Sequence, residues 1–259
     1  MTDSLIHNPW SPLPGSLVVV TGAAGGLGRK MTERLLEIGA VVLASDLNAS
    51  ALETLASDLQ NDRLLTATAD VTSRESLRAL GERVRQSGYR LALWVNNAGL
   101  GFHQDSDKVT DEEYDRVFDV NLRSTLLGSQ VAHDLFVEQA TPGSIVNLSS
   151  VMGTTVLRRR SMYGTAKAAI IHLTKYLAEE WGEKGIRVNA IAPGFVLTAM
   201  SHLAKASSEE IAETTEQIAL RRLGSTDDIA KMVLLLGSDL TGYQTGQLQV
   251  IDGGLTLTS

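Results

Sequence analysis

Leu17-Val18-Val19-Val20-Thr21-Gly22-Ala23-Ala24-Gly25-Gly26-Leu27-Gly28 runs a continuous apolar segment straight into a glycine-rich turn. An apolar run without polar alternation is what a strand needs when both of its side-chain rows meet packed helices. Helical sequence follows from Arg29 to Ile38. Strand, tight turn and helix, in that order, form the opening of a βαβ unit.

The same apolar run recurs at 40–44, 64–69, 91–95, 144–148, 186–191 and 248–251, each separated from the next by helical sequence. Seven strands alternating with helices imply right-handed crossovers and a doubly wound, seven-stranded parallel sheet with helices on both faces, an α/β fold. Thr72-x-x-Glu75, Thr110-x-x-Glu113 and Ser225-x-x-Asp228 read as capping boxes that start three of the helices. No linker interrupts the pattern, so residues 15–259 read as a single domain behind an irregular leader, 1–14. The segment Thr198 to Ala219 breaks the α/β rhythm with a polar start at Ser207 and is expected to form a flexible helical lid.

Composition narrows the function. The chain has 259 residues, 43% hydrophobic and 20% charged, which suits a globular protein with a sizeable core. A formal net charge of -7 leaves no electrostatic footprint for nucleic acid or an anionic membrane, and small molecules remain as partners. The absence of cysteine excludes a disulfide framework and a thiolate metal site and fits the cytoplasm, the expected location. The leader lacks a basic start and an apolar run, so it does not read as a signal peptide. No stretch approaches the roughly 18 apolar residues of a spanning helix. No His, Asp and Glu cluster has metal-ligand spacing.

Glycines at 22, 26 and 28 suit a turn that lets backbone approach a pyrophosphate, which the amino end of the following helix would hold. Their spacing differs from G-x-G-x-x-G. Asp46 ends the second strand eighteen residues beyond Gly28, near the separation expected of an acid that binds an adenosine ribose. That carboxylate repels a 2′-phosphate, Leu47 follows it, and Ala23, Ala24 and Gly25 carry no charge, so NAD is the expected cofactor. Arg29 is the one nearby cation, and its place after the last glycine suits a helix surface.

Tyr163 and Lys167 are four apart at the start of a long helical stretch, which places them on one helix face. One ammonium about 5 Å from a phenol, at an effective dielectric near 20, favours the phenolate by roughly 3 kcal/mol. Such a phenol can serve as a general acid and base near neutral pH. Ser150 ends the fifth strand thirteen residues earlier, where its hydroxyl could hold a substrate oxygen beside that phenol. Ser149 is its neighbour, but successive strand residues face opposite ways.

Thr21-Gly-x-x-x-Gly-x-Gly28, Asn96-Asn97-Ala98-Gly99, Asn121, Ser150, Tyr163-x-x-x-Lys167 and Pro193-Gly194 together resemble the short-chain dehydrogenase/reductase family over about residues 15 to 255. The resemblance implies a Rossmann fold, usually in a homotetramer packed through the helices that hold Asn121 and Tyr163. It implies that Tyr163 donates or accepts the proton, that Lys167 lowers its pKa and binds the nicotinamide ribose, and that Ser150 orients the substrate. Asn121 would hold a water linking Lys167 to solvent. Cofactor contacts would come from Gly22, Gly26, Leu27, Gly28, Asp46 and Leu47, from Asp70 and Val71 at the adenine, and from Asn97, Ala98 and Gly99. Pro193, Gly194, Val196 and Thr198 would enclose the nicotinamide, and Asp252-Gly253-Gly254 would be a structural turn.

The family's pocket segments contribute Leu100, Phe102, Met152, Val156, Leu157, Phe195, Val196, Met200 and Leu203. This apolar lining favours an alicyclic, aryl or terpenoid-like secondary alcohol or ketone over a free sugar. The expected reaction is hydride transfer between NAD and such an alcohol. The alternatives are a 3-oxoacyl-carrier-protein reductase using NADPH, a sugar or polyol dehydrogenase, and a non-catalytic dinucleotide sensor. Arg158-Arg159-Arg160 in the same loop invites a carboxylate or phosphate, although a charge run is ordinarily a solvated surface.

Overall fold

The computed structural model describes residues 9–198 and 207–257. Its strands are β1 (Leu17–Thr21), β2 (Val41–Asp46), β3 (Leu64–Thr68), β4 (Leu91–Asn96), β5 (Gly143–Leu148), β6 (Ile186–Pro193) and β7 (Leu248–Ile251). They form one sheet in the order β3-β2-β1-β4-β5-β6-β7, parallel throughout. The direction of winding reverses between β1 and β4. Connections leave the sheet on opposite sides there, and a crevice opens beyond the carboxyl ends of the strands.

The helices are α1 (Gly26–Glu37), α2 (Ala49–Leu59), α3 (Arg74–Ser87), α4 (Asp111–Phe118), α5 (Ser124–Glu138), α6 (Ser161–Trp181), α7 (Ser208–Glu216) and α8 (Thr226–Gly237). Alternation along β1 divides the core. Val18 and Val20 pack with Met31 and Leu35 of α1 and with Ile229 and Val233 of α8. Leu17 and Val19 face the other layer, with Leu80 of α3, Leu135 of α5 and Leu177 of α6. All of β1 is buried, which is why its sequence shows no polar alternation.

Two of the expected helix starts form as read: Thr110 with Glu113 and Ser225 with Asp228 are reciprocal capping boxes. Ser207 with Glu210 makes a third, at α7. Thr72 with Glu75 does not. The Thr72 hydroxyl donates to Asp70 Oδ1 at 2.7 Å, and Ser73, one residue later, caps α3 by accepting from the Ser76 amide at 3.2 Å. The Asp252 turn is structural: its carboxylate accepts from the Gly254 and Thr256 amides at 2.8 and 2.9 Å.

Residues 9–14 of the expected leader are irregular, yet Leu13 among them belongs to the core. Leu13 is 0% exposed and packs with the α1 and α8 layer, where a Cβ at Gly237 would meet its Cδ2 at 3.2 Å. Among the described residues no helix is long and apolar enough to cross a membrane. Leu13→Ala removes a buried side chain at a site with little room to collapse, at a cost of about 2–5 kcal/mol. Thermal unfolding followed by circular dichroism should show a midpoint lowered by roughly 5–15 °C.

Candidate active site

The crevice at the strand ends is a cavity of about 650 Å³, walled by the segments that follow β1 through β6. At its centre the glycine turn is clamped to the end of β4. Asn97 Nδ2 donates to the carbonyls of Thr21 and Gly22 at 2.8 and 2.9 Å, and the Thr21 hydroxyl accepts from the Asn97 and Ala98 amides at 3.1 Å each. Gly22 takes a left-handed φ of +63°, and a Cβ there would lie 2.9 Å from the Ala98 Cα. Only glycine fits that approach.

Helix α1 begins at Gly26, and Gly25 before it has no side chain to accept from the first-turn amides. Those amides are left for an anionic ligand. Gly22, Gly26 and Leu27 line the cavity; Gly28 does not. A Cβ at Gly28 would fall 2.1 Å from the Gly22 carbonyl oxygen, so this glycine lets the helix seat against the turn.

Asp46, Leu47, Asp70 and Val71 wall one end of the cavity. The Asp46 carboxylate accepts from the Ala24 amide through Oδ2 and from the Asn48 amide through Oδ1, both at 3.1 Å. This fixes it beside the glycine turn with lone pairs remaining for a diol. Arg29 turns away: its guanidinium pairs with Glu33 at 3.1 Å and with Asp58 at 2.9 Å. The wall beside Asp46 contains no cation among the described residues.

At the opposite end Asn121, Ser150, Tyr163 and Lys167 meet. Ser150 and Tyr163 line the same end of the cavity, and the Ser150 hydroxyl accepts from the Met152 amide at 3.2 Å. Ser149 points elsewhere, donating to the Lys167 carbonyl at 2.8 Å. Asn121 sits in a π-helical turn, Asp119–Arg123, between α4 and α5. Its amide donates to the carbonyls of Leu100 and Val117 at 3.1 and 3.0 Å and accepts from the Leu100 amide at 3.3 Å. Gly99 lies between the two elements: a Cβ there would come 2.9 Å from Asn121 Oδ1 and 3.5 Å from Lys167 Nζ.

The electrostatics differ from the expectation that Lys167 lowers the Tyr163 phenol. Burial pushes the phenol above its ordinary value, and the Ser150 hydroxyl and the charge of Arg160 pull it back in part. Lys167 is 4% exposed, and burial lowers its ammonium from 10.5 to about 8. Its Nζ donates to the Leu148 carbonyl at 2.8 Å and lies 5.6 Å from the centroid of the Tyr163 ring. The ammonium is thus directed to the sheet end instead of the phenolic oxygen.

Of the expected substrate lining, Leu100, Met152, Phe195 and Val196 face the cavity, as do Pro193, Gly194 and Thr198. Phe102, Val156 and Leu157 are not part of the wall, and Val156 and Leu157 are 97% and 41% exposed. Met200 and Leu203 fall outside the described residues. Arg160, expected on a solvated face, is half-buried and lines the cavity. Nothing in the local sequence pattern distinguished it from Arg158 and Arg159, which are exposed.

Four contacts stitch the loop after β4 to the loop before α6. The Gln104 amide donates to the Arg159 carbonyl at 2.9 Å, and Arg160 Nη1 donates to the Phe102 carbonyl at 2.9 Å. Arg159 pairs with Asp105 at 3.3 Å, and the hydroxyls of Ser106 and Ser161 lie 2.9 Å apart.

The family model described as Enoyl-(Acyl carrier protein) reductase matches residues 22–256. The 3beta-hydroxysteroid dehydrogenase 1 of Eggerthella lenta is 37% identical over 251 residues, 96% of this chain and 96% of that protein. The 3-oxoacyl-[acyl-carrier-protein] reductase of Thermotoga maritima is 34% identical over 247 residues, 95% of this chain and 99% of that protein. The crystal structure of a short-chain type dehydrogenase/reductase from Mycobacterium marinum superposes with a TM-score of 0.88 at 30% identity, covering 94% of this chain and 96% of that one.

The depressed Lys167 value has a thermodynamic sign. The unfolded chain holds this proton up to about pH 10.5 and the folded chain only to about pH 8, so Lys167 favours folding above pH 10.5 and this contribution is lost as pH falls through about 8. Every tenfold difference in proton affinity between the two states corresponds to about 1.4 kcal/mol. Lys167→Met should therefore unfold at a higher temperature than the parent at pH 7, and the difference should shrink by several degrees by pH 10. A difference in melting temperature that is constant with pH would refute the assignment.

Proposed function

The chain belongs to the short-chain dehydrogenase/reductase family, and on that premise we propose that it is an NAD-dependent dehydrogenase of hydrophobic secondary alcohols, acting in either direction between alcohol and ketone. The observation that carries this reading is the meeting of Ser150, Tyr163 and Lys167 on the cavity floor, at the end opposite Asp46.

The residues present suit a dinucleotide. Gly22, Gly26 and Leu27 with the uncapped start of α1 would take its pyrophosphate, and Asp46 the adenosine ribose. Asp70 and Val71 would flank the adenine; Asn97, Ala98 and Gly99 would form the groove floor; Pro193, Gly194, Val196 and Thr198 would hold the nicotinamide end. When bound, the nicotinamide supplies the hydride acceptor or donor. Arg29 is already committed to two carboxylates, so among the described residues no cation on the wall beside Asp46 compensates a 2′-phosphate, which supports NAD over NADP.

Within this proposal Ser150 holds the substrate oxygen and Tyr163 exchanges the proton on it. Its phenol is raised by burial, so it needs cationic help to act as a base near neutral pH. The Arg160 charge gives part of that help, and Lys167, still largely protonated at neutral pH with a value of about 8, would add to it only if a bound cofactor or substrate drew its ammonium toward the phenolic oxygen. Asn121 fixes the Leu100 backbone beside Lys167, the place where a water linking the lysine to solvent would sit. Leu100, Met152 and Phe195 would receive the apolar body of the substrate. The proposed assembly is a homotetramer packed through α5 and α6, with a scattering mass four times the 27.8 kDa chain.

A second reading, an NADPH-dependent 3-oxoacyl reductase, draws on the likeness to the Thermotoga maritima protein. Reduced-nicotinamide absorbance with NAD or NADP and a panel of cyclic secondary alcohols separates the two. Turnover with NAD is expected; reduction of acyl thioesters by NADPH without alcohol turnover would select the second. Tyr163→Phe should lower kcat by roughly 10³-fold while NAD affinity, measured by calorimetry, changes by less than about threefold. Asp46→Ala should raise the preference for NADP over NAD by roughly 10²-fold, the order expected for removing one like charge about 5 Å from a phosphate at an effective dielectric near 20.

A further inference from the structure

The three arginines before α6 point in different directions. Arg159 adopts a left-handed φ of +62°, and its guanidinium leaves the pocket to pair with Asp105. Arg158 is exposed. Arg160 alone turns in and lines the cavity, along with Ser150, Met152 and Tyr163.

One of its N–H groups donates to the Phe102 carbonyl, which anchors the guanidinium at the edge of the site. Among the described residues no acidic side chain pairs with it, and its other donors have no protein partner. Every other arginine or lysine on the cavity wall has an evident use: only Lys167 remains, and it is bound to the Leu148 carbonyl. A half-buried guanidinium without a protein counter-charge stays open to an anionic ligand that enters the cavity. A guanidinium with free donors is shaped for a carboxylate, which it can grip through two parallel hydrogen bonds. The charge of Arg160 is also felt at the Tyr163 phenol, which places the fork close to the reacting end of the cavity.

We propose that Arg160 is a specificity-determining residue that binds a carboxylate carried by the substrate, so that the alcohol is a hydroxy acid, and the ketone an oxo acid, on an otherwise apolar body. This inference rests on the reading of the site as a secondary alcohol dehydrogenase. The carboxylate would satisfy the outward donors of Arg160, while Leu100, Met152 and Phe195 cover the hydrocarbon and Ser150 and Tyr163 take the carbinol oxygen.

The test uses the full chain with NAD and a matched pair, 3-hydroxycyclohexanecarboxylate and its carboxamide. The parent enzyme should show kcat/KM at least tenfold higher for the acid, mainly through KM. Arg160→Gln should bring the two within about twofold, Arg160→Lys should keep part of the preference, and Arg158→Gln should keep all of it. Equal rates in the parent, or a preference that survives Arg160→Gln, would overturn the proposal.

Calorimetry with cyclohexanecarboxylate and cyclohexanecarboxamide on the NADH-loaded protein reads the arginine without turnover. If no alcohol is oxidised, the dehydrogenase reading fails; an acid-over-amide binding preference abolished by Arg160→Gln would still uphold the carboxylate site, and equal binding would end it. Loss of NADH affinity in Arg160→Gln as large as the loss of acid affinity would assign the arginine to the cofactor and refute the inference.

Discussion

The site depends on one side chain that joins two strands. β1 and β4 are neighbours in the sheet, but the chain leaves them on opposite sides, so nothing in the ladder itself fixes how their following loops sit. Asn97 supplies that constraint by donating from one amide nitrogen to two successive carbonyls, Thr21 and Gly22. Thr21 answers by accepting from the Asn97 and Ala98 amides. The bonds leave little slack for the glycine turn. Gly22 can have no Cβ because Ala98 occupies its space, and Gly28 can have none because the turn's own carbonyl does. The path of the turn, the start of α1 and the floor of the groove are thus set together.

A second theme is the use of burial against charge. Lys167 is held in a place where its ammonium is expensive, and Tyr163 in one where its phenolate is. Each would relax toward its neutral form if left alone. The compensation is local: the Leu148 carbonyl for the lysine, the Ser150 hydroxyl and the Arg160 field for the tyrosine. Groups poised this way respond strongly to any further charge placed beside them, since the interior screens poorly. At neutral pH only Lys167 carries a cost in stability, because a phenol raised above its ordinary value is neutral in the folded and the unfolded chain alike.

The strands were legible in the sequence because a sheet covered on both faces demands uninterrupted apolar runs, and all seven runs became strands. Asp46 was legible for a related reason: it follows such a run at a fixed distance from the turn. What failed was whatever depended on orientation within a loop. Phe102, Val156 and Leu157 are apolar, yet the path of their loops takes them off the cavity wall, and apolar character alone carries no direction. The choice of Ser73 over Thr72 as a cap turned on Asp70 capturing the nearer hydroxyl. The packing constraint on Gly28 became visible only when the helix and the turn were seen in contact. Arg160 was hidden among identical neighbours, and its inward course follows from a backbone conformation at Arg159 that no side-chain pattern announces.

The lacing between the loop after β4 and the loop before α6 joins residues about 55 positions apart in sequence into a single rim. Evolution or an engineer therefore inherits the two loops as one heritable module. Exchanging either loop alone with a homologue would sever backbone and ionic ties at once and let the arginine fork drift. A graft meant to change selectivity has to carry both segments across, with their partners matched.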